Sequence, residues 1–161
     1  MALNDVSNIL WRERQLLELL IFKLEEEQLV LAAGRTRWLS HATREVETVL
    51  EEIKRAELER AIEVEGAAKE LGLTTAPTLR ELAELTPVPW NTIFEEHRRA
   101  LLETAQEIES AARANHDLLS RGHLAAREAM ASIGQVEIDS YTPTGAAASG
   151  SLKLRLIDEA I

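Results

Sequence analysis

The segment from Trp90 to Ile133 constrains the fold more than any other part of the chain. It contains no proline and one internal glycine, Gly122, and it is rich in Ala, Glu, Leu and Arg, which favour helix. These properties predict one uninterrupted helix, about 65 Å long at roughly 1.5 Å per residue. A compact single-core domain cannot cover such a rod evenly, so part of it is expected to contact something else.

One side of this predicted rod carries most of its apolar residues. They recur at alternating steps of three and four, which places them on a single stripe of a helix. The stripe comprises Phe94, His97, Leu101, Thr104, Ile108, Ala111, Asn115, Leu118, Gly122, Ala125 and Ala129. Its side chains are small and partly polar, and this side is the predicted packing face.

Two further long helices are predicted before the rod. The first spans residues 3–33, with Asn4 or Asp5 as its N-cap, and the second spans residues 35–71. The first carries a heptad-like apolar seam that Glu13 and Glu27 interrupt. The seam residues are Val6, Leu10, Leu17, Leu20, Leu24 and Leu31. Because only a short turn at Gly34 separates the two helices, we expect an antiparallel hairpin.

A short helix and a tail complete the predicted architecture. Thr78 and Glu81 have the spacing of a capping box, which predicts a helix over residues 79–85. The fold class is therefore all-α: three long helices and one short connecting helix in a coiled-coil-like bundle over residues 1–134. Residues 135–161 are small and polar for the most part and are expected to form a flexible tail. Its last apolar stretch, LKLRLI, fits a short strand or a helix equally well.

Composition excludes several classes of function. The 161 residues include 28 acidic and 18 basic ones with no basic stripe, which argues against nucleic-acid binding. The chain has no cysteine, and its longest apolar runs, 19–22 and 29–33, are far shorter than a membrane span. We therefore expect a soluble, cytoplasmic protein of one helical domain that does not insert into a membrane.

No pattern of catalytic or metal-binding residues stands out. The four histidines, His41, His97, His116 and His123, are scattered, and none follows a glutamate at the spacing of helical di-metal sites. Phosphate-binding loops, nucleophile elbows and dinucleotide fingerprints are also absent from the sequence. We predict no enzymatic activity, no metal and no cofactor.

Tyr141 is the one tyrosine of the chain and lies in the polar tail. Burying such a side chain in a partner's pocket removes about 150–250 Å² from water, which is enough for a binding hot spot. Folding back onto the bundle is an equally simple interpretation of the residue.

The order of these features resembles the FlgN-type flagellar export chaperones. The segment LLELLIFKLEEEQLVLAAGRTRWL is similar to their opening helix and turn, and ANHDLLSRG is similar to a pattern in their last long helix, with Asn115, Leu118 and Leu119 in matching places. YTPTG, with Tyr141 and Gly145, resembles the tyrosine-to-glycine element that follows that helix, and LIDEAI resembles a common ending. Two positions depart from the pattern: Ala112 replaces a frequent asparagine, and Thr142 follows the tyrosine in place of a charged residue.

The resemblance implies a cytosolic chaperone that binds the C-terminal helical segments of the hook–filament junction (hook-associated) proteins. It would prevent their premature assembly and deliver them to the cytoplasmic domain of the flagellar type III export gate. The expected client-binding residues are Leu101, Ile108, Leu118, Leu119, Leu124 and Met130. Tyr141 is the expected contact with the export gate. The tail segment LKLRLI is a candidate to occupy the client groove when no client is bound.

Two alternatives are left open by the sequence. One is a structural coiled-coil protein that self-associates through the seam from Val6 to Leu31. The other is a type III chaperone with a different cargo, such as a filament cap or a virulence translocator. The identity of the cargo, and whether the chain is a monomer or a homo-oligomer, do not follow from the residues.

Overall fold

The structure, a computed structural model, describes residues 2–132, and this part of the chain is all-helical. Its four helices are α1 (Ala2–Ala32), α2 (Thr36–Glu70), α3 (Leu79–Leu85) and α4 (Trp90–Ser132). The prediction of three long helices and one short one is confirmed. Within residues 2–132, no helix is both long enough and apolar enough to cross a membrane.

Helix α1 packs against α2 along most of its length. Arg12 pairs with Glu59 at 2.7 Å near one end of the contact, and Lys23 pairs with Glu45 at 3.0 Å near the other. As residue numbers rise along α1 they fall along α2, so the two helices run in opposite directions. The apolar positions of α1 form the centre of the core together with α2 positions at helical spacing. These core residues include Val6, Leu10, Leu17, Leu20, Leu24, Val46, Val49 and Ile53.

The seam of α1 is therefore internal to a single chain. Of its six predicted members, five are buried and Leu31 is half-buried. The polar residues that interrupt the seam also contact neighbouring helices: Glu13 accepts a hydrogen bond from Arg60 at 2.9 Å, and Glu27 accepts one from Thr43 at 3.0 Å. Self-association through this seam would require the monomer core to open.

Helix α4 lies on another side of α1 and runs parallel to it. Ser7 of α1 lies 3.2 Å from His97, and the Leu24 carbonyl of α1 lies 2.8 Å from the amide nitrogen of Asn115. The buried residues of α4 are Phe94, His97, Leu101, Ile108, Ala112 and Asn115. Most of these belong to the predicted stripe, and Ala112 replaces its neighbour Ala111 as the more buried of the two.

Two glycines end helices as their conformational freedom allows. Gly34 has φ of +65° and Gly72 has φ of +72°, in the left-handed region that glycine enters without steric cost. At Gly34 the chain turns from α1 into α2 within three residues. The predicted cap at the start of α1 is wrong, because α1 begins at Ala2 and Asn4 and Asp5 lie inside it.

Helix α3 joins α2 to α4 and packs against α4. The Thr78 side chain accepts a hydrogen bond from the Glu81 amide, and the Glu81 carboxylate accepts one from the Thr78 amide. This capping box was predicted and is confirmed. Leu79 and Leu82 are buried. The capping box fixes the residue at which α3 begins, and so helps to place these leucines.

Candidate binding surface on the long helix

Helix α4 extends past the end of α1, and this creates the most exposed helical surface of the described chain. Asn115 lies level with Leu24, and α1 ends only eight residues later at Ala32. From Ser120 to Ser132 every residue of α4 is exposed. We call residues 120–132 the free end of α4. Most of residues 120–132 lie beyond the last residue of α1, so neither side of this part of α4 is buried. The exposed surface results from the unequal lengths of the two helices.

Leu101 and Ile108, both expected to bind a client, lie in the internal core. Their exposed fractions are 1% and 0%, and they pack in the cluster that α1 and α4 share. In this conformation they hold α4 to α1 and offer no surface to a second protein. Tyr141, the expected gate contact, lies outside the described residues.

Of the other four expected client residues, Leu118 and Leu119 lie level with the last turns of α1, and Leu124 and Met130 lie beyond its end. Leu118 and Leu119 are half-buried, whereas Leu124 and Met130 are 57% and 42% exposed. Leu119 and Met130 are on the side of α4 that packs on α1 further down, because they continue the three-and-four spacing of its buried residues. Leu124 falls between those steps and lies on the other side of the helix.

Gly122 lies on the same continuation of the buried face. A Cβ atom added there would meet nothing within 4 Å, and the residue is exposed. Close packing against other residues of the range 2–132 therefore does not explain this glycine. Because Gly122 has no side chain, no group projects from the free end at this position.

Asn115 makes two polar contacts with the last turns of α1. Its side-chain amide donates to the Leu24 carbonyl at 2.8 Å and to the Glu27 carboxylate at 3.0 Å. The residue is 4% exposed, and its Oδ1 atom has no hydrogen-bond partner in the structure. The asparagine on which the resemblance partly rested thus ties α4 to the last turns of α1, just before the free end begins.

A buried ion pair lies between α1 and α2. Glu13 and Arg60 are 4% and 7% exposed, and their charged groups are 2.9 Å apart. Burial raises the pKa of the Glu13 carboxyl to about 7, although Arg60 acts to lower it and Glu57 acts to raise it. Arg60 donates to Oε2 of Glu13, whereas the buried Oε1 has no hydrogen-bond partner in the structure, and the pair forms a polar contact between the two helices.

His97 forms the corresponding polar contact between α1 and α4. Burial lowers its pKa to about 4, and the nearby Arg14 lowers it as well, so the ring is neutral at pH 7. The Arg14 guanidinium lies 3.4 Å from Nδ1 and can only donate, which leaves the proton on Nε2 to be donated to Ser7. The Trp11 ring packs edge-on against His97, with 5.0 Å between ring centroids.

A separate groove of about 510 Å³ opens between α1, α2 and the linker before α3. Val6 and Leu10 contribute to its floor, and Leu58, Pro77 and Leu79 are among its walls. This groove was not predictable from the sequence, because its lining comes from three elements whose relative positions are set by tertiary packing. In the sequence, Leu58 lies in a largely charged stretch of α2, and this is a feature that could have indicated an apolar surface there.

The chemistry of these surfaces is that of contact between proteins. Among residues 2–132, no cluster of His, Asp or Glu side chains could hold a metal ion. Glu13 and His97, the two groups with the largest pKa shifts, are buried between helices and do not line the groove, whereas Glu57, whose pKa burial raises, does. The free end of α4 is the longest run of exposed helical residues in the described chain.

Comparison with known proteins agrees with this architecture. Neither the curated proteins nor the solved structures contain a significant match to the chain. The sequence profile described as "FlgN protein", in contrast, matches residues 1–149, which includes all four helices and extends beyond them. A match over most of the chain is decisive for family membership, and this protein therefore belongs to the FlgN family.

Proposed function

We propose that this protein is a cytosolic chaperone of flagellar type III export, which binds the C-terminal helical segments of hook-associated, hook–filament junction proteins. Membership of the FlgN family supports the general role in flagellar export. The finer proposal is that a helical hairpin with one long rod shields an assembly-prone client segment and delivers it to the export gate.

The free end of α4 is the observation that carries this proposal. Up to Asn115 the inner side of α4 is covered by α1, and from Ser120 the same side is exposed. An amphipathic client helix laid along this side would continue the position of α1 beyond Ala32. The proposed contacts are made by Leu118, Leu119 and Met130, whereas Leu124, on the other side of the helix, lies outside this surface.

The small residues of this surface suit a client that must later be released. Gly122, Ala126 and Ala129 offer close approach but little apolar area, so the gain from burial is moderate. A client segment that becomes ordered on binding also loses about 2–5 kcal/mol of the gross interaction energy. The resulting affinity permits transfer to the export gate without nucleotide hydrolysis by the chaperone itself.

Titration calorimetry against C-terminal fragments of the junction proteins from the same genome tests the proposal. We expect saturable binding to the full chain, and Met130→Ser should weaken it about fivefold or more. Leu58→Ser is the matched control, because Leu58 is exposed but lies on α2. Leu124→Ser should have the smaller effect of the two α4 variants.

Absence of binding by every junction-protein fragment would reject this client assignment. Equal loss of affinity in Met130→Ser and Leu58→Ser would reject the free end of α4 as its site. Binding of a filament-cap fragment in place of the junction proteins would retain the chaperone role and change the cargo.

A further inference from the structure

Helix α1 has an exposed apolar stripe opposite its buried seam, and at one end of it the Trp11 ring also contacts His97 of α4. The stripe consists of Trp11, Leu19, Phe22 and Leu29, which are 51%, 40%, 56% and 71% exposed. Their spacing places all four within one sector of the helix, opposite the buried seam. We call these four residues the outer stripe. It is about 27 Å long at 1.5 Å per residue.

The size of the outer stripe makes it a candidate interface. A fully buried aromatic side chain removes about 150–250 Å² from water, so these half-exposed aromatics and two leucines present on the order of 400 Å². That equals the largest apolar patch of a typical monomer and is often functional. Two such stripes with their polar margins reach the lower range of stable interfaces, roughly 1,200 Å² in total.

We propose that the outer stripe is the interface of a two-fold symmetric homodimer in which α1 of one copy packs antiparallel to α1 of a second copy. This goes beyond the proposed client binding, which uses the other side of the molecule and the free end of α4. The reason to assign a second copy, and no other occupant, is that the stripe is complementary to itself.

Antiparallel packing centred near Leu20 aligns the apolar residues in pairs. Trp11 of one copy then lies opposite Leu29 of the other, and Leu19 lies opposite Phe22, with the symmetric pairs repeated by the two-fold axis. Each pair joins one aromatic side chain and one leucine. An isologous interface requires this kind of correspondence, since the same patch serves both partners.

The same register aligns opposite charges at the edge of the stripe. Arg14 and Glu25 lie on the same edge, and in antiparallel packing matching edges face each other, so each Arg14 meets Glu25 of the second copy. A parallel dimer would instead bring opposite edges together at the same level, with Glu25 of one copy beside Glu26 of the other. Charge therefore selects the antiparallel arrangement.

Arg14 is already held in place for this contact. Its guanidinium lies over the Trp11 ring, 4.2 Å from the centroid, and 3.4 Å from His97. Packing against the aromatic ring limits the side-chain freedom that would be lost on forming the intermolecular pair. The edge of the stripe is thus partly preorganised in the monomer.

Sedimentation equilibrium of the full chain tests this interface. The wild type should be a dimer at micromolar concentrations, and Leu29→Ser should raise the dimer dissociation constant at least about tenfold. Leu58→Ser is the matched control, because Leu58 is 68% exposed and lies on α2. It should leave the dissociation constant unchanged, and neither exposed substitution should disturb the core.

A charge swap tests the register. Arg14→Glu and Glu25→Arg should each weaken the dimer, and the double variant should restore most of the lost affinity. A monomeric wild type would overturn the proposal and assign the stripe to another occupant, such as a client helix or residues 152–157. Equal effects of Leu29→Ser and Leu58→Ser would overturn it too, and failure of the double variant to recover would overturn the antiparallel register.

Discussion

Glu13 links the stability of the protein to pH. In the folded state its pKa is about 7, compared with 4.5 when the group is unperturbed, so the folded chain binds more protons between these values. The contribution of Glu13 to the free energy of unfolding therefore falls as the pH rises from 4.5 to about 7, by up to about 3 kcal/mol. Glu13→Gln, which keeps an acceptor for Arg60, should abolish this fall.

His97 has the opposite dependence in nearly the same range of pH. Its pKa is about 4 when folded and 6.5 when unperturbed, so the unfolded chain binds more protons, and stability rises with pH between these values. The two contributions largely cancel in the wild type. In Glu13→Gln the free energy of unfolding should thus rise from pH 4 to 6.5, whereas in His97→Asn it should fall from pH 4.5 to 7.

Urea unfolding at a series of pH values measures both slopes. Glu18→Gln is the control, since Glu18 is an exposed carboxylate on the same helix, and its profile should follow that of the wild type. A profile of Glu13→Gln that matches the wild type would show that Glu13 titrates at its ordinary pKa and is charged beside Arg60.

Single positions also show where sequence patterns lose their power. The seam pattern correctly placed Leu10, Leu17 and Leu20 in the core, but treated Glu13 as an interruption, although it is as buried as its neighbours. Its partner, Arg60, lies 47 positions away, and spacing within one helix carries no information about it. Leu101 and Ile108 illustrate the same limit, because an apolar stripe on a rod does not say which part of it α1 will cover.

At the level of the helices, boundaries were predictable wherever a residue type dictates them. Gly34 and Gly72 end helices through positive φ, and the Thr78–Glu81 box starts α3, each within one or two residues of the prediction. The start of α1 was predicted within one residue, but its cap was wrong, because Asn4 and Asp5 resemble caps and lie within its first turns. The overhang of α4 beyond α1 depends on register, which only tertiary contacts define.

The capping box of α3 should contribute measurably to stability. Thr78→Ala removes the acceptor that the Glu81 amide contacts at 3.2 Å, and we expect a loss of about 1 kcal/mol in urea unfolding. Thr75→Ala is the control, because Thr75 lies exposed in the same linker and should change stability little. Equal stabilities of the two variants would indicate that the contacts of Leu79 and Leu82 position α3 without its cap.

For the whole molecule, the two proposed contact surfaces within the described residues occupy different places. The client surface lies on the free end of α4, the outer stripe lies on α1, and Tyr141 lies beyond the described residues. The polar contacts at Glu13, His97 and Asn115 hold α2 and α4 to α1. A chaperone that binds its client and then the export gate needs separate client and gate contacts, because one contact must persist while the other forms.

Replacing Tyr141 tests whether the client and gate contacts are separable. Tyr141→Ala should weaken binding to the cytoplasmic domain of the export gate at least about tenfold, since an aromatic anchor of this size is a typical hot spot. Tyr141→Phe keeps the ring and should retain most of the affinity. Client binding, measured by calorimetry with the same preparations, should be unchanged in both variants.

Met130→Ser provides the reciprocal control for this experiment. It should weaken client binding and leave binding to the gate domain intact, because Met130 lies on the free end of α4, before the segment that contains Tyr141. If Tyr141→Ala reduced both affinities together, the tyrosine would contribute to the client site or to the fold, and the two-site arrangement would be wrong. If it reduced neither, the gate contact would have to be sought elsewhere on the chain.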